Sequence, residues 1–320
     1  MLSPEVIALL LLDTLFVLFG FFAFIVSLKI AWFWERDASS EAQFALEKKA
    51  VLVATIIKYI FYLKLPLFLF FIFTADTISG LITGAMCAAG VVNSVDFGLI
   101  LFSLKITNLY LFGFWLVLNA VDLNDEHLPY SRAKFALYCV AFFFLLGEVG
   151  YDFYFFTALN IDKIVSCCGT LFSAASTSSI AFMFELPHPL LLGTFYGFFA
   201  LHGVLFYRKE ALGFLVTNVL FVPLSILALI LFFGTYIYEL PTHHCPFCLL
   251  QKEYYYVGYL LYITLFGGTF FGFSAGVMSL IDTSNVYTSF CRYSFYLTTA
   301  FVLIMSAYPL LYFYRNGVWL

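Results

Sequence analysis

An all-α, polytopic membrane helical bundle of about eight transmembrane helices is the fold this sequence predicts, and three observations predict it. Hydrophobic residues make up 63% of the 320 and charged residues only 11%. The mean hydropathy of +1.00 lies far above that of soluble domains. The apolar stretches, at roughly 18 to 27 residues each, are long enough to cross about 30 Å of hydrocarbon as helices. Runs such as Leu65-Pro66-Leu67-Phe68-Leu69-Phe70-Phe71-Ile72-Phe73 are continuous. A spanning β-barrel would instead alternate residue by residue, so helices are the better reading.

The spans read near 6–32, 51–73, 98–121, 135–158, 189–207, 213–238, 255–281 and 294–314. Before the first, the acidic start Met1-Leu2-Ser3-Pro4-Glu5 lacks the basic region of a secretory signal, which predicts a retained helix. The following segment, Trp34 to Ala50, reads either as an interfacial helix or as a solvated turn. Lys29, Arg36, Lys48 and Lys49 flank the first loop, Arg132 and Lys134 the third, Arg208 and Lys209 the fifth, and Arg292 the seventh. Lys and Arg are retained in the cytoplasm, so both termini are expected on the extracytoplasmic side. No stretch is long enough for a soluble domain, and no basic tract points to nucleic acid. The chain is expected to be a single integral membrane domain over 1–320, within which helical-hairpin repeats are sought near 51–121, 135–207 and 213–281. The pattern behind those repeats is a cysteine at about every eightieth residue, at Cys87, Cys167 and Cys245.

Charge inside a span is costly, so Asp13, Lys58, Lys64, Lys105, Glu148 and Asp152 are functional candidates by default. The bland alternative is that the lysines snorkel or pair with the acids. Glu148 and Asp152 stand four apart on one helix face, a spacing suited to a proton path. His188 and His202 share a helix but are separated by roughly 21 Å of helix rise, too far to ligate one haem iron.

The residues richest in chemistry are cysteines in the outer connections: Cys87, Cys167, Cys168, Cys245 and Cys248. An extracytoplasmic face is where disulfides form and persist. The strongest local motif is His243-His244-Cys245-Pro246-Phe247-Cys248, followed by Gln251 and Lys252. Two cysteines with two residues between them, on the first turn of a helix, can close a disulfide, and the helix N-terminus favours the thiolate of the first. Pro246 suits the first helical position. Lys252 then falls one turn beyond Cys248, and Tyr255, in a dense run of tyrosines, offers a ring for stacking. Cys167 and Cys168 are vicinal and can close only a strained ring, which makes their disulfide labile or leaves each to pair elsewhere. The same sulfur atoms, with His243, His244 and Met86, also form a soft ligand set suited to Zn or Cu(I). The Cys-x-x-Cys spacing serves both chemistries.

The stretch Cys245-Pro246-Phe247-Cys248-Leu249-Leu250-Gln251-Lys252 resembles the active-site stretch of the DsbB family, bacterial membrane enzymes that oxidise a periplasmic thiol protein and pass electrons to quinone. The resemblance implies a thiol:quinone oxidoreductase of the bacterial inner (cytoplasmic) membrane with its cysteine motifs on the periplasmic face. It further implies quinone contacts from Lys252 and Gln251, beside which Tyr255 and His244 are the neighbouring candidates. In that scheme Cys245 and Cys248 are catalytic, and Cys167, Cys168 and Cys87 form a relay. The likeness covers about ten residues, and DsbB has four helices with a second cysteine pair in its other outer loop. Two alternatives stand beside it: a sulfur-rich metal-binding membrane protein holding Zn or Cu(I), and an accessory subunit of a respiratory complex whose cysteines are structural staples. The expected partners are the lipid bilayer, quinone, and either an extracytoplasmic thiol protein or other membrane subunits.

Overall fold

A computed structural model describes residues 3–35, 40–125, 128–160, 187–281 and 286–320. Among these residues there is no strand, and eight helices are long and apolar enough to cross a membrane. The chain is a polytopic membrane helical bundle. It divides into two compact units, Met1–Val165 and Ser166–Leu320.

In the first unit the spanning helices are α1 (Pro4–Phe33), α2 (Glu41–Ser79), α4 (Gly98–Leu123) and α5 (Ser131–Ala158), with the short α3 (Ala88–Asn93) between the second and third spans. Ser3 caps α1 by accepting from the Val6 amide, and Pro4 occupies its first turn, where a missing N–H costs nothing. Ser40 caps α2 in the same way, accepting from the Gln43 amide at 3.2 Å. Gln43 in turn donates to Glu47 at 3.1 Å, which helps the polar stretch from Glu41 join α2 as a continuous helix. The segment expected as an interfacial helix or a turn is therefore, from Glu41 onward, the first turns of the second span.

The packing order is a ring: α1 lies on α2, α2 on α4, α4 on α5, and α5 back on α1. Its centre is aromatic. Phe61 stacks on Phe112 with centroids 4.2 Å apart, Trp115 meets Phe61 edge-on, and Trp115 donates to the Lys134 carbonyl at 2.8 Å. Tyr138 donates its hydroxyl to the Gly20 carbonyl at 2.9 Å, and a side chain at Gly20 would press on the Phe142 ring and on that hydroxyl. Asp76, in the last turn of α2, accepts on Oδ1 from the Ala88 amide at 3.2 Å and so ties the end of α2 to the start of α3 just after Cys87.

The second unit repeats this plan. Its spans are α6 (His188–Arg208), α7 (Ala211–Ala228) continued by a π-helical turn at Leu229–Phe233 and by α8 (Gly234–Tyr238), then α9 (Val257–Ile281) and α10 (Val286–Asn316). Here α6 packs on α7, α7 on α9, α9 on α10, and α10 back on α6. Each unit is thus a four-span ring with a short helical insert between its second and third spans, and each insert carries cysteine. The unit boundary falls between helices four and five, inside the 135–207 stretch read as one hairpin of a repeat.

Candidate functional site

The site is built at the insert of the second unit. Helix α8 ends at Tyr238 because Glu239 turns left-handed (φ 53°), and the Leu240 amide reaches back to the Thr235 carbonyl at 3.1 Å. The chain then runs through Pro241 and Thr242 to His243, His244 and Cys245. A π-helical turn frees backbone groups from the i−4 ladder. Here His244 Nδ1 donates to the Ile230 carbonyl of that turn at 2.8 Å, which sets the protonated nitrogen of the ring and ties the cysteine loop to the span below.

Two tyrosines hold the cysteine backbone. Tyr238 donates to the Cys245 carbonyl, and Tyr262 of α9 donates to the Pro246 carbonyl at 2.6 Å. The Tyr238 ring also meets His243 and Tyr254 edge-on, at 4.2 and 4.6 Å between centroids. The Cys245 and Cys248 sulfur atoms lie within 4.8 Å of each other. Both residues are buried, at 0% and 4% exposure. The His243 Nε2 atom is buried as well and has no hydrogen-bond partner.

The helix-start placement of the pair is corrected. Cys245 is in irregular backbone, and Cys248 opens a 3₁₀ turn of three residues, Cys248–Leu250. Gln251 is extended (ψ 159°), a second 3₁₀ turn follows at Lys252–Tyr254, and Tyr255 and Tyr256 are both left-handed before α9 begins at Val257. Gln251, Tyr255 and Tyr256 interrupt the helical path between the cysteines and α9, so the pair does not lie on the first turn of that helix. Gly258 explains how the insert nevertheless packs tightly on α9: a Cβ there would stand 2.8–2.9 Å from Leu249 backbone and side-chain atoms.

Of the remaining sequence candidates, Gln251 is half-buried, Lys252 is exposed, and Tyr255 is 93% exposed. Lys252 and Tyr255 thus face outward and do not enclose a flat ring. Cys87 is buried at the start of α3 in the first unit, while its neighbour Met86 is 73% exposed. Cys167 and Cys168 lie outside the described residues.

His202, tested as a haem ligand, belongs to a polar cluster instead. Asn218 approaches its Nδ1 at 3.4 Å and Thr298 its Nε2 at 3.3 Å. Ser294 donates to Asn218 Oδ1 at 3.2 Å, and the imidazole stacks on Phe214 at 4.4 Å. Because Asn218 presents its NH₂ to Nδ1, and the Thr298 hydroxyl donates to the Ser294 carbonyl at 2.8 Å, the ring proton is on Nε2. Sequence reasoning missed Asn218, Ser294 and Thr298. Their polar side chains in apolar helices were the available sign.

The first unit has a second concentration of chemistry. Lys64 Nζ lies 2.9 Å from Asp13 Oδ1 and 2.8 Å from Glu148 Oε1; Lys105 Nζ lies 3.1 Å from the same Glu148 oxygen and 2.6 Å from Asp152 Oδ2. Asn108 adds a hydrogen bond from Nδ2 to Glu148 Oε2. The five charged side chains come from all four spans and are at most 6% exposed. Lys58, the sixth candidate, is exposed, with its ammonium over the Tyr62 ring. A further buried pair that sequence reasoning missed, Lys134 with Asp122 at 2.6 Å, closes the α4–α5 connection, where Asp122 also accepts from Tyr130 N and Ser131 Oγ.

In comparisons with known proteins, the chain matches no family model, no curated protein and no solved structure.

Proposed function

We propose that the protein is a membrane thiol–disulfide oxidoreductase whose exchanging pair is Cys245 and Cys248. The observation that carries this reading is the approach of the two sulfur atoms to within 4.8 Å inside a loop pinned by Tyr238, Tyr262 and His244. A disulfide needs its sulfurs at about 2.05 Å, so the two must draw closer before they bond. Exchange is balanced within the sulfur chemistry. A thiolate on Cys245 attacks one sulfur of a partner disulfide and the other partner sulfur leaves as a thiolate that takes up a proton. Cys248, losing its own proton, then attacks the mixed disulfide and releases the reduced partner.

The finer features of the reading follow from the sequence. Both termini and the cysteine loop stand on the extracytoplasmic side of a bacterial inner membrane, the partner is an extracytoplasmic thiol protein, and a quinone in the membrane accepts the electrons when the exchange runs toward partner oxidation or, as quinol, supplies them when it runs toward partner reduction. Lys252 and Tyr255 face outward in the arrangement described above and do not form a closed ring site, so no step is assigned to them. Burial of both thiols requires the loop to open for a protein partner. The same burial favours a second reading, a closed structural site in which the pair helps to hold Zn or Cu(I).

A resolving-cysteine trap tests the first reading. In a Cys248→Ser variant treated with an aromatic disulfide probe, Cys245 is expected to retain the probe as a stable mixed disulfide, whereas the unmodified protein releases both halves. Loss of probe reactivity in both proteins, with zinc or copper co-purifying in stoichiometric amount, would decide for the metal site.

A further inference from the structure

We propose that the α1–α2–α4–α5 bundle holds one exchangeable proton, shared between Asp13 and Asp152 at the two ends of the buried chain Asp13–Lys64–Glu148–Lys105–Asp152. Consecutive members are joined by contacts of 2.9, 2.8, 3.1 and 2.6 Å. The chain alternates in sign and ends on a carboxylate at both sides. Three carboxylates against two ammonium groups leave one uncompensated negative charge in an apolar helix bundle. Isolated buried charge is among the costliest features a membrane protein can contain, and a carboxylate escapes it by taking a proton.

Three orphaned atoms point to the same conclusion. Asp13 Oδ2, Asp152 Oδ1 and Asn108 Oδ1 are buried oxygens without a hydrogen-bond partner. Asp13 and Asp152 are themselves 0% exposed. Glu148 has no such vacancy, since it accepts from Lys64 and Lys105 on one oxygen and from Asn108 on the other. Glu148 is therefore the member held ionised, and the proton goes to an end. With Asp13 protonated, Glu148 and Asp152 balance the two lysines; with Asp152 protonated, Asp13 and Glu148 do.

The groups facing the chain from each packed element are accounted for. Asp13 comes from α1, Lys64 from α2, Lys105 and Asn108 from α4, and Glu148 and Asp152 from α5. Phe16 lies 5.9 Å below the Lys64 ammonium and Phe71 4.5 Å below that of Lys105. Helix α3 contributes no ionisable residue. Elsewhere in the bundle Lys134 is engaged with Asp122 and Asn119, Tyr138 with the Gly20 carbonyl, and Asp76 with the Ala88 amide. By helix rise Asp13 is about 14 Å inside the start of α1 and Asp152 about 9 Å inside the end of α5, so the chain sits within the hydrocarbon layer.

Proton movement along this chain conserves every group. Lys105 passes a proton to Asp152, Lys64 passes one to Glu148, Glu148 passes it on to Lys105, and a protonated Asp13 restores Lys64. The net change is one proton moved from Asp13 to Asp152, with both lysines charged and Glu148 ionised again.

Infrared difference spectroscopy of the protein in lipid nanodiscs tests the proposal through the carbonyl stretch of a protonated carboxyl. The unmodified protein is expected to show such a band at neutral pH, shifting in D₂O and disappearing on alkaline titration. Because the proton is fixed by charge balance across the set, Asp13→Asn and Asp152→Asn should each, singly, abolish it. The titration of the unmodified protein decides the matter even if a variant fails to fold. No protonated-carboxyl band in the unmodified protein would overturn the proposal, as would a band that survives in either folded variant. Retention of one sodium ion per chain in place of the band would overturn it too, since a metal cation would then supply the missing charge.

Discussion

The Lys105 ammonium stands 2.6 Å from Asp152 Oδ2 and 4.5 Å above the Phe71 ring, with Lys105 4% and Asp152 0% exposed. A charge pair placed among aromatic rings in an apolar bundle has given up its hydration, and each member depends on the other. Lys105→Met should therefore destabilise the first unit by about 3–5 kcal/mol, because it leaves Asp152 and part of Glu148 unpaired. Lys105→Met combined with Asp152→Leu should recover most of that loss. Unfolding of the four proteins in detergent gives the coupling directly, and an additive cycle would show the pair to be independent.

Gly272 makes a different prediction, one of space. A Cβ there would overlap the amide group of Asn218, which packs flat against α9 while bonding His202 and Ser294. Gly272→Ala should cost about 1–3 kcal/mol by forcing Asn218 aside. Asn218→Ala in the same chain should remove the clash, so that the double variant loses less than the sum of the single ones. Thermal unfolding checks this.

The cysteine loop is held by hydroxyl donors, so its accessibility should respond to their removal. Tyr262→Phe deletes the bond to the Pro246 carbonyl and should cost about 1 kcal/mol. The sharper effect is kinetic: alkylation of Cys245 and Cys248 should speed up, while alkylation of Cys291, buried in a cluster with Phe214 and Ala275, stays unchanged. Equal acceleration at all three would mean general loosening rather than loop release.

A side chain at Gly258 should act on the same loop from below. Gly258→Val places a branched group against Leu249, where even a Cβ stands 2.8 Å from backbone carbon. The insert must lift from α9, and the distance between the two sulfurs should grow. The expected result is slower closure of the Cys245–Cys248 disulfide under mild oxidant than in the unmodified chain, read by mass spectrometry.

How much of this was legible in the sequence follows from the range of each interaction. The eight spans could be read because each is a local property of composition, and the buried charges Asp13, Lys64, Lys105, Glu148 and Asp152 stood out against it. Their partners could not be read. Lys64 meets Asp13 across 51 residues and Glu148 across 84, and nothing local sets those distances. The polar start of α2 was obscured because Glu41–Lys49 lacks the apolar pattern of the span it continues, while Ser40 and Gln43 still supply the cap. At the cysteine motif, Pro246 suggested a helix start. The left-handed Tyr255 and Tyr256 break that helix and carry no sequence mark, since tyrosine seldom adopts a positive φ. The tyrosines that tie down the loop, Tyr238 and Tyr262, were visible only as part of an aromatic background.

The central claim is that Cys245 and Cys248 exchange electrons as a pair, and differential alkylation with mass spectrometry tests it most directly. Purified protein would be divided among reduced glutathione, oxidised glutathione, quinone and quinol, with parallel aliquots kept metal-free or supplied with Zn or Cu(I), then labelled before and after reduction. Cys245 and Cys248 are expected to switch together between labelled thiols and a protected disulfide as the couple changes, with the metal-free aliquots behaving alike. Such exchange would be contradicted by two thiols that remain reduced under every couple and lose reactivity only when Zn or Cu(I) is present, or by a disulfide that persists under all of them.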